Sequence, residues 1–163
     1  MFIKLNPGIK PINFITYLIG LFWIFSVFPI CSSLIPFILN DPKYYNVPDD
    51  KLGGDLGTVG SICECIVIVQ DIILGFIFDA IGRKIPFIIG LVMTGIGLGL
   101  VPLFHKVYPY FLILRIIFYC GSIFGVNCPF LADYVEKNSI GLASFYTSLS
   151  VALSSIFVAT GLL

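Results

Sequence analysis

Three charged residues lie within long apolar stretches of the sequence: Glu64, Asp71 and Arg115. Glu64 and Asp71 are seven residues apart, which places their side chains within about 20° of each other on a helix. Four further residues extend this stripe at spacings of three and four: Gly57, Ser61, Ile68 and Gly75. Because charged side chains are costly in hydrocarbon, we expect the stripe to face protein or a water-filled cavity.

Arg115 supplies a possible counter-charge for this stripe. Arg115 lies six residues from the outer end of its predicted helix, and Glu64 lies eight from the outer end of its own. Both residues are therefore about 9–12 Å deep, at a rise of about 1.5 Å per residue. A Glu64–Arg115 pair could be a static contact or part of a transport site. Asp71 lies nearer the midplane, where it is a candidate proton or substrate site unless Gln70, a serine hydroxyl or another helix satisfies it.

The composition indicates an integral membrane protein. Hydrophobic residues make up 58% of the chain and charged residues 11%, whereas a soluble domain carries about 25% charged residues. The net charge is zero, which argues against a nucleic-acid partner, since such a partner requires a concentrated basic face. We find no nucleophile–base pair, phosphate-binding loop or cluster of metal ligands in the sequence. The chain is therefore not predicted to be an enzyme or to bind a metal or cofactor.

Five apolar segments are long enough to cross a bilayer as helices, since a crossing takes about 20 residues. The chain is thus predicted to be a single all-α, polytopic membrane bundle over residues 1–163. The predicted spans are 12–39, 56–78, 85–104, 109–131 and 140–163. The first should be kinked at Pro29 or Pro36, and residues 40–55 should form a polar loop. Small-xxx-small spacings at Gly95–Gly99 and Gly121–Gly125 favour close helix packing.

The distribution of basic residues favours a cytoplasmic N-terminus. With that orientation five basic residues are inside and three are outside. Arg83 and Lys84 carry the most weight because short loops follow the positive-inside rule best. No signal identifies which membrane holds the protein.

A short polar segment separates the second and third spans and reads Gly75-Phe-Ile-Phe-Asp79-Ala-Ile-Gly82-Arg83-Lys84. On the residues alone, Gly75 would allow close helix approach and Gly82 a tight turn with positive φ. An ordinary loop that follows the positive-inside rule is the alternative. The segment resembles the loop between helices 2 and 3 of major facilitator superfamily transporters, G-x-x-x-D-[R/K]-x-G-R-[R/K]. Ala80 stands where that family has a basic residue.

A second segment is similar to the family's fourth helix and the loop after it. There an intramembrane Arg115 precedes Gly121 and Gly125, and the following loop carries Asp133 and Glu136. Ile140 replaces an arginine of the family pattern. The two resemblances cover about residues 75–84 and 115–141.

The resemblance implies an alternating-access transporter of a small solute. In that family two halves rock about a midplane site, and this chain would supply helices 1 to 5 of the N-terminal six-helix half. The segment would be a gating hinge formed by Gly75, Asp79, Gly82, Arg83 and Lys84. Asp79 would latch the halves in the outward-facing state, and Arg83 would join a cytoplasmic charge cluster with Asp133 or Glu136. The remaining helices would come from a missing portion of the chain or from an oligomer.

Several alternatives stay open on the sequence alone. The chain could be a genuine five-span protein with its C-terminus outside rather than a fragment. It could be a non-transporting membrane scaffold or an inactive transporter remnant. The solute and the mode of transport, including coupling to protons, are not indicated by the sequence.

Overall fold

A computed structural model describes residues 3–126 and 130–161, which are mainly helical and contain no β-strand. Five of the helical segments are long and apolar enough to cross a membrane, which confirms the predicted all-α class with five long apolar helices. The helices are α1 (Pro11–Asn40), α2 (Asp49–Ile81), α3 (Lys84–Gly99), α4 (Leu112–Val126), the short α5 (Leu131–Tyr134) and α6 (Ile140–Gly161). A 3₁₀ turn (Val101–Leu103) and a π-helical turn (Val107–Phe111) connect α3 to α4, and another 3₁₀ turn (Lys137–Ser139) precedes α6.

The N-terminal end of α2 differs from the prediction. The helix begins at Asp49 rather than at residue 56, so the polar loop is only 41–48. Pro48 has extended backbone angles and ends the loop. Asp49 and Asp50 follow in the first turn, where the positive end of the helix dipole stabilises carboxylates. This dipole interaction opposes the low helix propensity of Gly53 and Gly54, which follow.

Two other predicted boundaries can be compared with the structure. α1 runs as one helix through Pro29 and Pro36, which is tolerated in membrane helices because local adjustments satisfy the freed backbone groups. α4 is described as far as Val126, which lies within the predicted span 109–131. Residues 127–129 of that predicted span, and residues 162–163 of the last one, lie outside the described part of the chain.

The chain divides into two compact units, one formed by Met1–Ser32 with Pro129–Leu163 and the other by Ser33–Cys128. In the first unit, Phe14, Val135 and Ala143 form the buried core. The Tyr17 ring stacks on Tyr134 with centroids 5.2 Å apart. The Ser150 hydroxyl donates to the Leu18 carbonyl at 2.7 Å, which ties α6 to α1.

The second unit contains α2, α3 and α4, and its loop 41–48 is held by specific contacts. The Val47 N–H donates to the Leu39 carbonyl at 2.8 Å. Tyr45 is 7% exposed, and its hydroxyl donates to the Val101 carbonyl at 2.7 Å. The same ring packs edge-on against Phe111, with centroids 5.6 Å apart. Tyr45 therefore fastens the loop to the chain between α3 and α4.

We expect Tyr45→Phe to lower the free energy of unfolding by about 1 kcal/mol, because it leaves the Val101 carbonyl without its donor. The control is Tyr108→Phe, which removes a hydroxyl from a side chain that is 44% exposed. Chemical unfolding in lipid nanodiscs measures both variants. Equal stability of the two variants would contradict the role assigned to the Tyr45 hydroxyl.

Tyr45 also predicts a pH dependence of stability. Burial raises the pKa of Tyr45 above its ordinary value. The unfolded chain therefore loses this proton first, so the stabilising contribution is complete below pH about 10 and falls as the pH rises through the folded pKa. The stability difference between the unmodified protein and Tyr45→Phe should shrink over that alkaline range.

α3 and α4 approach each other through glycines. A Cβ added at Gly97 would lie 2.6 Å from the Phe118 backbone nitrogen, and one added at Gly121 would lie 2.7 Å from the Gly90 carbonyl oxygen. These three glycines form what we call the glycine seam: Gly90, Gly97 and Gly121. Gly90 and Gly97 are seven residues apart and so share one face of α3.

The predicted contact through Gly95 and Gly99 is wrong. A Cβ added at either residue would meet nothing within 4 Å. Both lie on exposed parts of α3, whereas Gly97 is buried. The small-xxx-small spacing identified the right helix but the wrong face, because Gly95 and Gly99 have that spacing whereas Gly90 and Gly97, which meet α4, are seven residues apart.

Candidate functional site

The segment between α2 and α3, predicted as a gating hinge, is a tight turn. Gly82 follows α2 with φ 80° and ψ 168°, and its N–H donates to the Phe78 carbonyl at 3.1 Å. This backbone region is essentially restricted to glycine, so the predicted positive φ at Gly82 is confirmed. Gly75 differs from its prediction, since a Cβ there would meet nothing within 4 Å. Gly75 lies on the exposed face of α2 rather than at a close helix contact.

The charges of this hinge are arranged against the helix dipoles. Asp79 is exposed and lies in the last turn of α2, and Lys84 is the first residue of α3. An acid at a helix C-terminus and a base at an N-terminus are each unfavourable by about 0.3–1 kcal/mol. Helix stability therefore does not explain these residue types, and the positive-inside rule accounts for the base but not for the acid.

The stripe on α2 that carries Glu64 and Asp71 is exposed on the surface of the protein. Both acids are exposed, and the Ile68 side chain between them is 60% exposed. No residue lies within 4 Å of a Cβ added at Gly57 or Gly75. The described residues of this chain therefore leave the stripe uncovered. If protein or a cavity covers it, as predicted, the covering surface lies outside those residues.

The buried face of α2 packs on α4. Cys63 is 0% exposed, and the Gln70 side-chain amide donates to the Cys120 carbonyl at 2.8 Å. Cys63 and Gln70 are seven residues apart and share one face of the helix. Glu64 is about 100° away from that face, since successive residues are about 100° apart around a helix. Gln70 is thus a helix–helix contact that the sequence did not assign, although an amide in an apolar span is the signal for one.

Arg115 is the most buried charged residue of the site, with 8% of its side chain exposed. Its guanidinium carbon lies 5.1 Å from the centre of the Phe118 ring and 4.9 Å from that of Tyr119. Nη2 donates to the Tyr119 hydroxyl at 3.4 Å. Such cation–π contacts are worth about 0.5–2 kcal/mol, and more when they are desolvated. The aromatic residues at i+3 and i+4 were the sequence signal for this arrangement, and the prediction overlooked it.

The predicted Glu64–Arg115 pair is not closed in the structure. Among the described residues, Glu64 makes no hydrogen bond or ion pair. Nη1 of Arg115 is buried and has no hydrogen-bond partner. The position of Glu64 beside the α2–α4 contact rather than within it explains why the pair stays open here.

The acids of the predicted cytoplasmic cluster lie in the first unit. Asp133 is exposed in α5, and Glu136 is half-buried just before the next 3₁₀ turn. The Asn6 side-chain amide donates to the Asp133 carbonyl at 3.0 Å, and the Glu136 N–H donates to the Lys4 carbonyl at 3.0 Å. The N-terminal segment therefore holds this loop, which the sequence did not indicate. Arg83 belongs to the second unit, so the charge cluster itself stays a prediction.

The described residues contain no group of three or more His, Cys, Asp or Glu side chains that could hold a metal ion. The chemistry that the site offers is therefore that of carboxylates, an amide and a guanidinium within apolar helices. No protein-family model, no curated protein and no solved structure matches the chain.

Proposed function

We propose that this chain is part of a secondary transporter of the major facilitator type, corresponding to helices 1 to 5 of its N-terminal half. The observation that carries the proposal is a charged side chain buried in an apolar helix, Arg115, accompanied by two acids in the neighbouring α2. Ionisable residues within membrane segments are rare and costly, and they typically mark substrate, ion or proton pathways.

The α2–α3 turn gives further support. Gly82 has the positive φ that the family's loop pattern favours. Asp79 and Lys84 lie at helix ends where the dipoles oppose them, as expected of residues that serve a latch. In the proposed cycle Asp79 holds the outward-facing state and releases it when the solute is bound. Arg83 would take part in the charge cluster on the cytoplasmic side.

The exposed stripe of α2 also fits this function. Glu64 and Asp71 cannot remain against lipid at low cost. In a transporter they would line a water-filled pathway or contact helices of the other half. Proton coupling through Asp71 is one possible mode, and the pathway would carry a small solute.

Uptake into liposomes tests the proposed transport. The panel contains labelled glucose, glutamate, succinate, inorganic phosphate and tetraethylammonium, each with and without an imposed pH gradient. We expect saturable uptake of at least one solute above that of protein-free liposomes. Asp79→Asn should lower its rate by about tenfold, which lies within the usual range of conformational coupling energies.

The matched control is Asp50→Asn, the same substitution in the first turn of the same helix, where we expect an unchanged rate. Failure of every solute to enter would contradict transport by this chain. An equal loss of rate in both variants would remove the latch role from Asp79.

One observation favours a second candidate, an assembly partner that transports nothing. The exposed acids of α2 could contact a basic membrane helix of another protein. The intact mass of the native protein and of its complex in detergent separates the two candidates. A stable hetero-complex that no solute stabilises supports the scaffold, whereas a single product near two or three times 18.0 kDa supports a transporter.

A further inference from the structure

One guanidinium nitrogen of Arg115 has no partner. Nη1 is buried and makes no hydrogen bond to any described residue. The other terminal nitrogen reaches only the Tyr119 hydroxyl, at 3.4 Å, which is longer than a normal N–H···O bond. The guanidinium of Arg115 therefore makes few of the hydrogen bonds that it could donate.

A buried charge without a partner is a costly arrangement. Ring contacts with Phe118 and Tyr119 offset part of the cost, but they leave Nη1 without a hydrogen-bond acceptor among the described residues. The guanidinium N–H groups form a planar fork whose geometry matches a carboxylate or a phosphate. An anionic oxygen is thus the group that the edge of Arg115 lacks.

The chain does not supply this oxygen from its nearest acid. Glu64 is exposed, and it lies about 100° around α2 from the face that packs on α4. Glu64 directly follows Cys63, which is fully buried on the α2 face that packs on α4. The negative charge of Glu64 therefore lies on the flank of the α2–α4 contact and does not occupy the guanidinium.

We propose that Arg115 binds an anionic group of the transported solute, either a carboxylate or a phosphate. This inference rests on the proposed transport function and names the chemical class of its substrate. Nη1 is covered in the conformation described, so the anion reaches it after the surrounding packing opens, as alternating access requires. On binding, the guanidinium exchanges its long contact with Tyr119 for charge-assisted hydrogen bonds to the anion.

Calorimetric titration of the whole chain in lipid nanodiscs tests the proposal. The probes are succinate and inorganic phosphate, which distinguish the carboxylate source from the phosphate source, and tetraethylammonium is the cationic control. Sodium chloride holds the ionic strength constant. We expect saturable binding of one anion and no binding of the cation.

Substitutions then locate the site. Arg115→Gln should weaken anion binding by about tenfold or more, since it removes a charge-assisted bond. Arg115→Lys should retain part of the affinity, because it keeps the charge but loses the planar fork. Glu64→Gln should tighten binding, because it removes a nearby negative charge. Lys106→Gln, a change of an exposed loop cation, should leave the affinity as it is.

Two results would overturn the proposal. One is that neither anion binds more tightly than tetraethylammonium. The other is that Arg115→Gln binds the anion as tightly as the unmodified chain does. If Arg115→Gln does not fold, Arg115→Lys and Glu64→Gln decide, and a loss of affinity in Glu64→Gln counts against the proposal. Uptake of glucose without anion binding would overturn the substrate class and leave transport standing. Anion binding without uptake of any solute would keep the site and remove its transport role.

Discussion

Gly97→Ala should destabilise the protein by forcing α3 away from α4. The new Cβ would lie 2.6 Å from the Phe118 nitrogen and 2.8 Å from its Cα. These are backbone atoms of α4, so relief requires the two helices to move apart. Overpacking of this kind costs about 1–3 kcal/mol or more, which outweighs the gain of about 1 kcal/mol in helix propensity. We expect a net loss of about 2 kcal/mol.

Gly95→Ala is the matched control, two residues away in the same helix. A Cβ there would meet nothing within 4 Å, so the change should be neutral or slightly stabilising. Chemical unfolding of both variants in nanodiscs gives the comparison, and Gly121→Ala should behave like Gly97→Ala. If Gly97→Ala were as stable as Gly95→Ala, the glycine seam would not be a close contact of α3 and α4.

Gly82→Ala is expected to lower the free energy of unfolding by about 2 kcal/mol, because a side chain in this backbone region is strained by about 1–3 kcal/mol. The strain arises from the backbone alone, since a Cβ at Gly82 would meet nothing within 4 Å. The turn would have to change its angles, and the direction in which α3 leaves α2 would change with it. In transport assays the same variant should lose rate as well as stability.

Gly75→Ala serves as the control for this change. Gly75 is in the same helix as the turn's first residues, but its backbone is helical and its surroundings are open. Gly82→Asn provides a second arm, because asparagine tolerates the left-handed helical region but not the more extended one occupied here. Full stability of Gly82→Asn would show that the turn is not confined to glycine.

The sequence was sufficient to predict the large elements. Runs of apolar residues determine where a chain crosses a membrane, so the five long helices follow from hydropathy. The positive φ of Gly82 also followed from local chemistry, since the turn between two helices is short. The start of α2 at Asp49 did not follow from the sequence. The charged residues suggested a loop, whereas the two acids lie in the first helical turn, where the helix dipole stabilises them.

The contacts of the site depend on rotations that the sequence does not specify. The predicted proximity of Glu64 and Arg115 rested on their depth in the membrane, and depth does not say which way each helix faces. Gln70 and Cys63 occupy the α2–α4 contact, and this places Glu64 on its flank. The aromatic support of Arg115 could have been anticipated, because residues at i+3 and i+4 are neighbours on any helix.

The glycine seam also bears on how the chain enters the bilayer during synthesis. An arginine in a membrane helix costs at most about 2.5–3.5 kcal/mol on insertion, the value for the helix centre, so insertion of α4 into lipid alone is unfavourable. The Phe118 ring lies against the guanidinium of Arg115, and the Phe118 backbone lies against Gly97 of α3. Because α3 is synthesised first, α4 can leave the translocon beside α3, whose Gly90 and Gly97 allow close packing. Insertion of α3 and α4 as a pair therefore lowers the free-energy cost of placing Arg115 in the bilayer, compared with insertion of α4 alone.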